Sequence, residues 1–558
     1  MGTEEEKVVP KLRGEKPSNL ETFSGFEVKE IYRPEEIKDI EYERDLGDPG
    51  EYPYTRGIHK DMYRKRFWNR ATFSGLPTPG MTNERFKYLI SKGQTGLVLG
   101  PDTPSSIGID TDHPRARYSC GVTGAPTYSM GCMSDVFDGI SLTDINVDLR
   151  GDLSHTAISM MSQFLAYVES KGMEPSDTRC SMINNPIHGY SCMNWTNCPI
   201  ELEVKFCIDT IEYCHQNLPL WHPVCIAGYD MRECGIDAVQ ELAFSIAESI
   251  TIYDACLSRG MAIEKVARRP VFALGAHIDF LEEIAKYRAA RRMWAHIMKE
   301  RYNVDDPQVL KLIISIRGDG SSLAAQQPIN NVARLTMECL AAVLGGVQSM
   351  DHTTYDEPLG EPTEEAANIT LNIQHIVAHE SGVVNTPDPL GGSYYIESLT
   401  NKIEEETYKL LKQIEDMGGF IEAEKSGWFR GELRSAYLQR QKELEEKKRI
   451  MVGVNEFAVP KEEEISLPIH PYLTKEKEAF QEENMKQAER FRENRDKQEL
   501  KKAIDNLRKC AEKGEEENLV RPMVEAYKAR ATMGEVLGIV REAYGYEYDY
   551  YNSIKNPF

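Results

Sequence analysis

The stretch Val271-Phe272-Ala273-Leu274-Gly275-Ala276-His277, followed almost at once by Phe280-Leu281-Glu282-Glu283-Ile284-Ala285-Lys286-Tyr287-Arg288, decides the fold class. An unbroken apolar run reads as a strand buried on both faces, as parallel sheets require. The segment after it, Phe280–Arg301, has apolar residues at helical spacing and reads as a long amphipathic helix. The same pairing recurs along the chain. The runs are Thr95–Gly100, Ile145–Leu149, Cys180–Asn184, Val224–Gly228, Val271–His277, Lys311–Ile316, Val347–Met350 and Gly382–Val384, with helices such as Asn331–Leu344 between them. Eight alternating units imply right-handed crossovers and an α/β fold of the (β/α)8 TIM-barrel type, with function at the C-terminal strand ends. An open, doubly wound sheet is the other architecture this alternation permits.

Composition narrows the function. The chain has 558 residues, 41% of them hydrophobic, enough for a large core. No apolar run approaches the ~18 residues a membrane span needs, and the N-terminus lacks the apolar centre of a secretory signal. A net charge of −23 argues against nucleic-acid and anionic-membrane partners, and requires a local basic patch for any anionic ligand. Ten of the twelve cysteines lie between Cys120 and Cys256 without a Cys-x-x-Cys pair. They read as reduced core thiols of a cytoplasmic protein, not as disulfides or a metal centre. Residues 1–65 read as an extended arm making subunit contacts, 66–400 as the barrel, and 401–558 as a helical extension. Within the extension, 461–470 reads as a loop and 475–515 as a charged helix, either a solvated linker or a partner-binding coil.

A second set of segments carries a resemblance. Leu344-Gly345-Gly346-Val347-Gln348-Ser349 and Thr386-Pro387-Asp388-Pro389-Leu390-Gly391-Gly392-Ser393-Tyr394-Tyr395 have the Pro and Gly density of tight turns where backbone approaches something closely. With Tyr54-Thr55-Arg56-Gly57-Ile58, Lys92-Gly93-Gln94-Thr95-Gly96, Ala285–Arg291, Asn330-Asn331-Val332, Tyr355-Asp356-Glu357, Glu380-Ser381-Gly382 and Val452-Gly453-Val454-Asn455, they resemble, in order and interval, the large chain of the adenosylcobalamin-dependent acyl-CoA mutases, the methylmalonyl-CoA mutase family. The likeness runs from about Tyr52 to Tyr544 and is closest in type to the two-subunit isobutyryl and 2-hydroxyisobutyryl mutases.

The resemblance implies a radical carbon-skeleton rearrangement, with substrate bound along the barrel axis and cobalamin brought onto the open end by a flavodoxin-like domain. That domain carries Asp-x-His-x-x-Gly, and none of the twelve His residues here has Asp two positions before it. The chain ends just after Ala531–Leu537, where longer relatives continue. The expectation is therefore a separate small cobalamin-binding subunit, with homodimeric large subunits inside a heterotetramer.

Carried over residue by residue, Glu233 and Glu357 match the carboxylates that position the adenosyl group, and Gly75 and Gly320 the glycines near the corrin. Tyr229, Arg269, Gln348 and Ser349 are retained on the substrate side, with Tyr229 and Asp230 in the catalytic position. The departures lie there too. Phe73 stands where the family has a carboxylate-contacting Tyr, and Met193 where it has the Arg that pairs with the free carboxylate. Ile183 replaces a Gln, and Asp230 replaces the His that hydrogen-bonds the thioester carbonyl. An ionised Asp only accepts hydrogen bonds. Phe73 and Met193 imply an apolar acyl end, or plain core packing. Asp230, Asp319, Asp351 and Arg317 either form a new polar pocket for an ammonium- or hydroxyl-bearing substrate or pair among themselves as an ion network.

Overall fold

A computed structural model of the protein describes residues 20–194, 197–460 and 475–558. Nine strands form one sheet: β1 (Asn69–Ala71), β2 (Phe73–Ser74), β3 (Gly96–Leu99), β4 (Asn146–Leu153), β5 (Arg179–Asn185), β6 (His222–Ala227), β7 (Val271–Ala276), β8 (Ile313–Gly318) and β9 (Ser349–Asp351). All pairings are parallel, and from β2 to β9 each strand lies beside the next in the chain. β1 pairs with β9 while β2 pairs with β3. β1 and β2 are thus two pieces of one extended stretch, and that stretch closes the sheet into an eight-staved barrel. Closure excludes the open sheet.

The closing stave corrects one expectation. Gly382–Val384 is not a strand but a turn region between the helices Glu364–His379 and Tyr394–Asp416; the missing stave is Asn69–Ser74. Its polar wording hid it, and its hydrogen bonds explain the wording. Arg70 N–H donates to the Thr95 hydroxyl at 2.9 Å, and Thr72 N–H to the Gln94 side-chain oxygen at 3.1 Å. Side chains take bonds that a ladder would otherwise supply, which splits the strand at Thr72.

Alternation along each strand sorts the core. Outward-facing Phe272, Leu274, Ile314, Ile316 and Met350 join one buried cluster with Trp294 and Ala285 of the helix Phe280–Glu300. Leu97, Leu99, Val147, Leu149 and Met182 join a second cluster. Truncating any fully buried Leu among them should cost about 2–5 kcal/mol. Inside the barrel a much smaller apolar set remains: Ile183, Cys225, Ala227, Tyr229, Val271 and Ala273.

The Pro- and Gly-rich stretch has a structural job. Asp388 bonds Arg56 of the arm at 3.1 Å and pairs with Arg288 of the barrel helix. Gly392 N–H donates to Glu397, and a side chain at Gly391 would press on the Asp388 carboxylate. This knot lines a crevice with Gly345 and Gly346, just before β9, so it ties the arm to the N-terminal end of the barrel.

The charged segment is not a solvated linker. It forms two helices, Lys475–Glu493 and Lys497–Ala511, the second capped by Asp496. Leu500, Ile504, Leu507 and Ala511 make a buried stripe in the second cluster, together with the helices Val520–Lys528 and Met533–Ala543. The expected loop over 461–470 lies outside the described residues. No described helix is long and apolar enough to cross a membrane. All twelve cysteines are free thiols, nine of them buried.

Candidate active site

Polar side chains fill the barrel where apolar ones would be expected. Arg150, pointing inward from β4 and 3% exposed, reaches Asp351 of β9 at 2.5 Å and the Tyr229 hydroxyl, just beyond β6, at 2.7 Å. Arg317 of β8 donates to the same hydroxyl at 3.0 Å. Its guanidinium lies 4.8 Å from the Phe73 ring centroid and 5.1 Å from that of Tyr229, both cation–π distances. Asp148, two residues before Arg150, lies 3.6 Å from its Nε. Four staves are therefore cross-linked through the interior by Arg150, Tyr229, Arg317 and Asp351. Burial holds the Tyr229 phenol far above its usual range, so it stays protonated. Burial likewise lifts Asp148 to about 6 and, with the Asp230 charge adding to it, Asp152 to about 7.

Above this layer is the rim formed by the strand C-termini. Glu233 ends the short helix Gly228–Glu233 that follows β6, and its two oxygens accept from Gly320 N–H at 2.7 Å and Ser321 N–H at 2.9 Å. A Cβ on Gly320 would sit 3.4 Å from Glu233 Oε1 and 3.5 Å from Glu357 Oε1, so both carboxyls face one glycine. Although Glu233 opens on solvent, the loss of water around its carboxyl and the Asp319 and Glu357 charges hold it above the usual carboxylate range. Gly75 is also at the rim, but its lack of a side chain answers to the protein itself: a Cβ there would strike the Gly100 carbonyl and Gly124.

The acidic substitutions find internal cations. Asp230 lies 3.3 Å from His188 Nε2, and His188 Nδ1 lies 2.7 Å from the buried Glu248. Burial works against charging His188, yet Glu248 and Asp230 outweigh it and keep the imidazolium to about 10. Asp319 caps the turn at Ser321 and faces Arg232 at 3.8 Å. Asp351 belongs to Arg150. Asp230, Asp319 and Asp351 are each paired with a cation outside their own set, so the four do not pair among themselves, and Arg317 makes no ion pair with any described carboxylate.

The sequence-derived residues fall into separate places. Tyr229, Asp230, Phe73, Arg317, Glu233, Gly320 and Glu357 gather at the mouth and upper interior. Ile183 is fully buried in the small interior cluster below Tyr229. Met193 is half-buried at the end of the short helix after β5. Arg269, Gln348 and Ser349 are at the other end of the barrel. Arg269 precedes β7 and donates to the Pro219 carbonyl at 3.4 Å, while the Gln348 amide is committed to Ile314 N–H and the Gly346 carbonyl.

Sequence reasoning missed Arg150, His188 and Glu248. For Arg150 a signal was present: Asp148-Leu149-Arg150-Gly151-Asp152 alternates charge and small or apolar residues with the period of a strand, so its charges share the inner face. Another buried group, His155, Cys198 and Glu203, has ligand atoms within 4.8 Å of one another, but His155 N–H and Nδ1 already bond Glu203, which accounts for it without an ion.

Comparison with known proteins agrees with this architecture. The methylmalonyl-CoA mutase family model matches residues 21–546. The chain is 34% identical over 531 residues to the 2-hydroxyisobutanoyl-CoA mutase large subunit of Aquincola tertiaricarbonis, covering 95% of this chain and 93% of that one. It is 33% identical over 524 residues to methylmalonyl-CoA mutase of Rhizobium meliloti (strain 1021), covering 94% and 72%. Against the human mitochondrial methylmalonyl-CoA mutase it is 30% identical over 536 residues, covering 96% and 70%. A match of this extent on a closed barrel leaves one conclusion: the chain belongs to the methylmalonyl-CoA mutase family and is an isomerase of the mutase type.

Proposed function

We propose that this chain is the large, substrate-binding subunit of an adenosylcobalamin-dependent mutase that carries out a 1,2-shift on an acyl-CoA lacking a methylmalonyl-type carboxylate. The observation that carries the reading is the Glu233–Gly320–Glu357 cluster at the rim, directly above a polar interior. Two carboxyls at the opening, with lone pairs left beyond the two amide bonds Glu233 accepts, suit the hydroxyls of an adenosyl group, and a glycine between them leaves room for it, so the residues fit the cofactor. When bound, adenosylcobalamin supplies the radical that takes a hydrogen from substrate. The chain's own part is to orient the acyl group and exclude water. Phe73 and Met193 would line the apolar acyl end, since neither can replace an Arg fork on a carboxylate. Arg269 at the far end suits the phosphates of coenzyme A.

By the same reading, a small cobalamin-binding subunit completes the enzyme in a heterotetramer, in keeping with the large-subunit relative. Its twelve free thiols suit the cytoplasm. A second reading rests on one observation. The Arg150–Asp351 and Arg150–Tyr229 contacts cross the barrel axis, where a threaded pantetheine would run, and so favour a small polar substrate confined to the mouth. One experiment separates them. The chain is mixed with the small subunit and adenosylcobalamin, and candidate acyl-CoAs and the corresponding free acids are tested for a substrate-dependent EPR signal. A signal with an acyl-CoA is expected. A signal only with free acids selects the second reading, and none with either class overturns both.

A further inference from the structure

The interior holds an unused set of hydrogen-bond donors. The Tyr229 oxygen accepts from Arg150 at 2.7 Å and from Arg317 at 3.0 Å, which occupies both of its lone pairs. Its own proton finds no acceptor among the described residues. Arg317 is in the same condition. Of its five donors one is spent on Tyr229, and the Phe73 and Tyr229 rings cover its surfaces. Arg150 differs, being held by Asp351 and Asp148. A half-buried guanidinium with a free edge and no carboxylate partner is costly unless something else supplies an acceptor.

Position 230 cannot help a substrate oxygen, because Asp230 only accepts and lies against His188. The acceptor these donors lack must come from the ligand. Asp351 is already paired with Arg150 and Asp230 with His188, while burial holds the Asp148 and Asp152 carboxyls toward their neutral forms. On the reading of Phe73 and Met193 as the apolar acyl end, the substrate brings no free carboxylate there, and its thioester carbonyl is the acceptor within reach. An ammonium, itself only a donor, cannot satisfy these donors.

We propose that the Arg317 guanidinium and the Tyr229 hydroxyl together receive the thioester carbonyl oxygen of the substrate, so that β8 supplies the donor that position 230 does not carry. This rests on the acyl-CoA reading above. Two donors on one carbonyl oxygen fix the acyl group beneath Glu233 and Glu357 and stabilise charge that builds on that oxygen. Arg317 is then a specificity-determining residue set by this chain's own β8.

The test compares isobutyryl-CoA with its thioether analogue, in which the carbonyl is replaced by a methylene, by calorimetric binding to the full chain. The wild type should bind the thioester at least about tenfold more tightly, the scale of a lost hydrogen bond to a charged group. Arg317→Gln and Tyr229→Phe should each remove most of that preference while leaving thioether affinity unchanged, and Arg317→Lys should keep part of it. Unchanged circular dichroism and melting in Tyr229→Phe guard against misfolding. Equal binding of both compounds by the wild type, or equal weakening of both by Arg317→Gln, overturns the proposal and leaves the acyl-CoA reading standing. A preference that follows an added free carboxylate instead of the carbonyl also overturns it. If no CoA compound binds while a free acid does, the acyl-CoA reading itself falls.

Discussion

The rim of the barrel and the layer just beneath it, built on the ends of the same strands, obey different rules. At the rim, Glu233 and Glu357 face Gly320, and the Glu233 oxygens accept from backbone amides. Beneath, Arg150, Asp351, Arg317 and Tyr229 are bonded side chain to side chain across the interior. The difference teaches that two constraints meet in one barrel. On the function proposed above, a rim that serves a common cofactor holds still, while an interior that serves a particular substrate is free to exchange one polar set for another, provided each buried charge finds a partner.

The sharpest way to break this comparison is at the rim. Replacing both Glu233 and Glu357 by Ala should lower turnover by about a hundredfold or more, with acyl-CoA binding unchanged, because misplacement alone costs that much. Loss of binding instead of turnover would erase the distinction between the layers. In the interior the large effect should be on stability. Arg150→Met leaves Asp351 and Asp148 buried without their cation and should cost about 3–5 kcal/mol in urea unfolding. Adding Asp351→Asn should recover part of it, and additive losses would argue against a coupled pair.

A smaller effect is expected at Met193→Arg. If that residue lines the acyl end, turnover of an apolar acyl-CoA should fall by about tenfold, since an unpaired charge enters a dry site. Unchanged turnover would remove Met193 from the pocket. The smallest effect is one of pH. The folded-state pKa of His188 is raised, so its contribution is complete below the unfolded value of about 6.5 and is lost as pH rises toward about 10. The difference in melting temperature between wild type and Glu248→Gln should therefore shrink from pH 6.5 to pH 10. A difference that grows with pH would place the charge elsewhere.

Seven of the eight staves were legible because their outward faces need long apolar residues such as Phe272 and Leu274, which leave an unbroken run in the sequence. The closing stave was not, because Gln94 and Thr95 take its bonds and its residues have no apolar run to show. The rim was legible through motif wording alone. The interior was half legible: the sequence gives Asp230 and Arg317 as departures, yet pairing across the barrel is a fact of three dimensions. Nothing in the chain order joins Arg150 to Asp351, 201 residues away, or His188 to Glu248. The helix Lys497–Ala511 was misread for a simpler reason: its charge count hid the Leu500–Ile504–Leu507 stripe.

The split stave has a further consequence for motion. β1 meets β9 over three residue pairs and β2 meets β3 over two, whereas β4 and β5 share six. Fewer rungs mean a lower free energy of local opening, so amide hydrogens of Arg70, Ala71 and Phe73 should exchange with deuterium before those of the six-rung pairs β4–β5 and β7–β8. The split stave is thus a lightly laddered seam, as is β6 against β5 with two residue pairs, and Phe73, which stacks on Arg317, is stitched into it. Any ligand that presses Phe73 against Arg317 would tighten that seam, and substrate occupancy would then be readable as slowed exchange in six residues of backbone, Asn69 to Ser74.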